Sequence, residues 1–93
     1  METKNLSTIA QWYIENGKYQ ILWDHVKLKH PLITENIIVN LLVYGYHDYD
    51  KSEPNRFISK GKIKDKKYQV IYEYDLIENE DILIIITAFE KIR

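Results

Sequence analysis

Three residues in one short window could take part in proton transfer and charge stabilisation. His25, Lys29 and His30 lie within six positions of one another. A histidine titrates near neutral pH, so it can serve as general acid or base, here toward an RNA 2′-hydroxyl. Lys29 beside it would stabilise phosphate charge. The plainer account is that His25 packs near the first helix and Lys29 is solvated. A metal ion would need His25, His30 and Asp24 to converge. Nothing in their spacing demands it, and no metal is expected.

A second group is basic. Arg56, Lys60 and Lys62 are spaced by even intervals, so on a strand they share one face. Lys64, Lys66 and Lys67 occupy the turn that follows. Lys60, Lys62, Lys64, Lys66 and Lys67 are therefore where an RNA backbone would dock. Arg56 can hold a phosphate through two parallel hydrogen bonds. The alternative is a solvated hairpin whose lysines discourage edge-to-edge aggregation. A third group, Thr87, Lys91 and Arg93, stands where the last strand runs out. Thr87 and Lys91 are expected to face His25 and Arg56 across one site.

The remaining chemistry is sparse. There is no Ser/His/Asp or Cys/His arrangement, no Gly-rich phosphate loop and no pair of carboxylates at a recognisable spacing. No cofactor is expected. Tyr44, Tyr46 and Tyr49 surround His47 and Asp48, where they could stack on bases or line a partner interface. Tyr68, Tyr72 and Tyr74 alternate on one strand face and read as packing.

Composition narrows the class. Ninety-three residues, 45% apolar and 29% charged, fit one globular domain spanning 1–93. The net charge of −1 argues against a strongly electrostatic nucleic-acid binder but leaves room for a local basic patch. Absence of Cys excludes disulfides and Cys-ligated zinc. No apolar run is long enough to span a membrane. Met1-Glu2-Thr3-Lys4-Asn5 leads straight into an amphipathic pattern rather than a signal peptide, so a cytoplasmic protein is expected.

The elements that must position these groups follow from periodicity. Leu6, Ile9, Ala10, Tyr13 and Ile14 recur at helical spacing, predicting a helix over 6–16 with Asn5 or Ser7 as cap and Gly17 just past its end. Residues 19–23 read as a short strand and 24–30 as a helical turn. Thr34 caps a second helix over 35–44, apolar nearly all round, which Gly45 stops. Residues 46–55 read as a loop. Three strands follow at 56–63, 68–74 and 82–89, joined by turns at 64–67 and 75–81. Ile82 to Phe89 is apolar on both alternating faces, which predicts a central strand of a covered sheet. The sum is an α+β domain, two N-terminal helices packed on an antiparallel meander of three to four strands.

Several pieces together resemble a known group of small domains. They are Asn16-Gly17-Lys18-Tyr19-Gln20-Ile21, His25, Leu32-Ile33-Thr34-Glu35-Asn36-Ile37-Ile38, Leu41-Leu42-Val43-Tyr44-Gly45, Arg56-Phe57-Ile58, Tyr68-Gln69-Val70-Ile71-Tyr72 and Ile84-Ile85-Ile86-Thr87-Ala88-Phe89. In this order they resemble the uncharacterised family DUF four-two-five-eight, which is similar to BrnT-type toxins of the RelE/ParE superfamily. The basic stretch after the family's His is about two residues shorter here, with Lys and His in place of Arg. The resemblance implies a compact antiparallel sheet with helices on one face. It also implies either RNA cleavage or poisoning of another cellular target, with a protein antitoxin as partner.

Two functions follow as expectations. One is a non-catalytic protein-interaction module, able to form homo-oligomers and without a membrane role. The other is a toxin-like ribonuclease using His25, Lys29 and Arg56.

Overall fold

The computed structural model describes residues 3–91, so Arg93 of the third group lies outside the described residues. Three helices and five strands form there: α1 Thr3–Glu15, β1 Tyr19–Ile21, α2 Trp23–Lys29, α3 Glu35–Tyr44, β2 Tyr46–Tyr49, β3 Arg56–Ile63, β4 Lys66–Ile77 and β5 Glu80–Glu90. They build one sheet in the order β1-β5-β4-β3-β2. Among the described residues no helix is long and apolar enough to cross a membrane.

The α+β class and the β3-β4-β5 meander agree with the sequence. The element count does not. Asn5 and Ser7 lie inside α1 rather than capping it. Residues 23–29 make a full helix, α2, although Leu22 at its N-cap offers no side-chain hydrogen bond. Four residues assigned to a loop, Tyr46–Tyr49, form edge strand β2. The sheet is mixed, because β1 joins β5 in parallel, with Tyr19 opposite Leu83 and Ile21 opposite Ile85.

The two hairpins are tighter than expected. Lys64 and Asp65 have φ of 50° and 71°, and Glu78 and Asn79 have 52° and 68°. Two successive residues in the left-handed region are what a two-residue type I′ hairpin requires. Each turn therefore uses only two residues, and β4 and β5 lengthen accordingly. A bulge between Ile71 and Tyr72 accommodates an extra residue in β5.

All three helices cover the same face. Ala10, Val26, Ile38, Leu41 and Leu42 pack with Val70, Tyr72, Leu83, Ile85 and Ala88 in one buried cluster. Directly opposed residues of neighbouring strands share a face. The register therefore places Ile58, Lys60 and Lys62 with Lys67, Gln69 and Ile71 on the other face, which no helix covers. This corrects the expectation for β5. It is flanked on both sides, but β4 is the central strand and only one face of β5 meets helices. On the bare face Ile84 is 8% exposed, shielded by its sheet neighbours alone.

Candidate functional site

The bare face carries a basic end. Lys62 of β3 stands opposite Lys67 of β4, and the Lys91 backbone N–H donates to the Lys67 carbonyl at 2.6 Å. Lys62 and Lys67 on adjacent strands and Lys91, just past the end of β5, thus form a row across the sheet. Lys60 sits one step behind, and Tyr46 of β2 is opposite it. Lys60, Gly61, Lys62, Lys67, Tyr68 and Lys91 line a depression of about 340 Å³. Tyr46 is 60% exposed at its margin.

No acid among the described residues forms an ion pair with the row. Among the described residues the ion pairs are Lys18 with Glu80 at 3.5 Å and Arg56 with Glu73 at 3.3 Å. Like charges directly opposite each other destabilise a sheet. A bound anion would relieve that repulsion, and the exposed ring of Tyr46 offers a surface on which a base can stack.

The other lysines of the basic group divide. Lys66 is on the helix side, where it lines a second depression with Lys29, His30 and Tyr68. Tyr68 borders both depressions. Lys64 occupies the hairpin tip. Lys29 and Lys91 therefore come to the same end of the molecule as the hairpin lysines, which linear spacing did not show.

Other candidates separate. Arg56, Thr87 and Lys91 share the bare face, but Arg56 is six positions along β3 from Lys62, roughly 20 Å at ~3.3 Å per residue. Its Nε donates to Glu73 Oε1 at 3.3 Å. Thr87 is opposite Ile71 in the middle of the sheet. His25 is exposed on α2, whose Val26 enters the helix-side core. The expected convergence of His25, Arg56, Thr87 and Lys91 on one site does not occur, because the strand register spreads the last three along the sheet and α2 belongs to its opposite side. Lys27 has a structural task, donating from Nζ to the carbonyls of Pro31 at 3.0 Å and Ile33 at 2.6 Å.

The one histidine with a built environment is His47, which is only 2% exposed. Its Nδ1 accepts from the Tyr72 hydroxyl at 2.7 Å, and its Nε2 donates to the Leu42 carbonyl at 3.0 Å. The Ser59 hydroxyl donates to the Leu41 carbonyl at 2.5 Å. These are carbonyls of the last turn of α3; that of Leu41 also accepts from the Gly45 N–H at 2.8 Å. Burial pushes the His47 pKa below its ordinary value, outweighing the opposite pull of the Leu42 carbonyl. The group therefore acts as an internal cap that joins α3 to the sheet. It lies in a strand and not in the loop that the polar run 46–55 suggested.

Comparison with family models, with curated proteins and with solved structures finds no match. The likeness to DUF four-two-five-eight and BrnT-type toxins rests on the motifs alone.

Proposed function

We propose that this protein is a small non-catalytic binding module that docks the phosphate backbone of single-stranded RNA on the bare face of its sheet. The observation that carries this reading is the uncompensated row Lys62, Lys67 and Lys91, with Lys60 behind it. Phosphates would lie along the row while a base stacks on Tyr46. The near-neutral net charge fits modest affinity, since the basic end is local. The ribonuclease alternative draws on His25, Lys29 and Arg56. It would need Arg56 to leave Glu73 and act from far along the strand.

Fluorescence anisotropy with a short uridine-rich RNA tests the proposal. Four phosphate contacts predict that log affinity falls with log salt at a slope of about −3. Combining Lys62→Glu with Lys67→Glu should weaken binding by at least about tenfold, equivalent to ~1.4 kcal/mol. RNA recovered from the mixture should be intact. Binding that ignores both salt and charge reversal would remove the reading. Cleavage abolished by His25→Ala would favour the ribonuclease.

A further inference from the structure

The bare face of the sheet is more apolar than a solvated face needs to be. An antiparallel sheet with one wet side normally turns polar residues toward the water. Here Ile58 and Ile71 oppose each other on β3 and β4, and Ile84 and Ile82 of β5 lie opposite Glu73 and Asp75. No helix covers these isoleucines, and Ile58, Ile71 and Ile82 stay partly open to solvent. The run from Ile82 to Phe89, apolar on both alternating faces, suits a sheet covered on both sides, and the helices cover only one.

Charge on this face is ordered along the strands. Past the isoleucines at one end stand Lys62, Lys67 and Lys91. At the other end stand Asp75 and Glu80, opposite Ile82 and Ile77. Residues 75–81 contain no Lys or Arg, and Lys18 reaches Glu80 from outside that segment. Between the two ends Arg56 and Glu73 neutralise each other. Lys67 and Asp75 are each four residues from Ile71 along β4, so all three share a face with the isoleucine midway.

We infer that a second copy of the chain covers this face and masks the lysine row until RNA displaces it. A half-turn about an axis across the strands at Ile71 lays isoleucine on isoleucine and reverses the strand direction. Each Lys67 then faces Asp75 of the other copy, and each Lys60 faces the neutral pair of Arg56 and Glu73. Every such contact occurs twice, because a two-fold interface uses the same patch on both chains. Sheets packed face to face stand about 10 Å apart, a gap that a lysine and an aspartate close between them. The footprint is modest. Strands β3, β4 and β5, of eight, twelve and eleven residues, cover roughly 500 Å² at ~3.3 Å per residue and ~4.8 Å per strand. A stable pair buries about 800 Å² per partner. The association is therefore weak. Dilute protein is a single chain with its row exposed, and concentrated protein is a dimer. The masking rests on the RNA reading, whereas the pairing does not.

Sedimentation velocity over a range of protein concentrations tests the inference. The wild-type mass should climb from one chain toward two. Lys67→Glu alone, or Asp75→Lys alone, brings like charges together twice and should raise the dimer Kd at least about tenfold. Both side chains are exposed, and circular dichroism should report a folded chain for each variant. An equimolar mixture of the two variants should dimerise again, because each chain then meets its complement. Excess uridine-rich RNA should return concentrated wild type to single chains that carry RNA. A wild type that is monomeric throughout, single variants that pair as well as wild type, or a mixture that does not recover would overturn the pairing. A dimer that binds RNA while intact would overturn the masking. RNA that binds neither dilute nor concentrated protein would remove the RNA reading and the masking with it, while the dimer stands.

Discussion

His47 is held at both ring nitrogens, and this gives the protein a specific acid sensitivity. Its pKa is lowered in the folded state from an ordinary value of 6.5. The unfolded chain therefore binds a proton that the folded chain resists. Stability from this group is complete above about pH 6.5 and is lost as pH falls through the folded value. The melting temperature should be flat between pH 7 and 8 and fall between pH 6.5 and 5. His47→Gln, although less stable at pH 7, should lose most of that decline in calorimetric scans. An unchanged decline in the variant would assign the acid sensitivity elsewhere. The sequence offered a signal for this residue. Tyr46-His47-Asp48-Tyr49 precedes the turn-rich run Asp50 to Asn55. What it could not supply was the partner, because Tyr72 lies 25 positions away and meets His47 only after β2, β3 and β4 pair.

Among the elements, legibility followed the length of the pattern. Helix α3 announced itself through the Thr34 cap, which accepts from the Ile37 N–H at 3.3 Å, and through its apolar residues. Helix α2 spans seven residues and lacks a side-chain cap, so a partial turn was all its pattern supported. Strand β1 has three residues, too few to display alternation. Gly45 was readable as the stop of α3, but its second role was not. It lies where the helix turns directly into β2. A Cβ there would collide with the Leu41 carbonyl, the Ser59 hydroxyl and the Lys60 carbonyl. Gly45→Ala should destabilise the fold by about 1 to 3 kcal/mol, as overpacking does. Urea unfolding would check this, and a neutral result would mean that β2 can move away from α3 at little cost.

At the scale of the whole molecule, a net charge of −1 conceals a separation of charge. Lysines gather at the β3–β4 hairpin end of the bare face, while Asp48, opposite Ile58 on that same face, and Asp50 and Glu53 beyond it lie toward the other end of the sheet. Composition sums these charges, and only strand register separates them. The uncompensated row should make the free protein stiffen with salt. Raising sodium chloride from low to physiological strength screens charges at these spacings. The melting temperature should rise accordingly, and Lys67→Gln should raise it at low salt while flattening the dependence. A melting temperature independent of salt would mean that the lysines already avoid one another.

The parallel pairing of β1 with β5 also sets a schedule. Tyr19 to Ile21 find their sheet partners only at Leu83 to Ile85, more than sixty residues later in the chain. During synthesis α1, β1, α2 and α3 emerge before any strand they are to cover. Their apolar faces must wait, in the company of the ribosome and its chaperones, until the meander is made. The sheet can grow outward from β3, β4 and β5, whose contacts are local and joined by two-residue hairpins. Its first strand in sequence can join only after the last has formed.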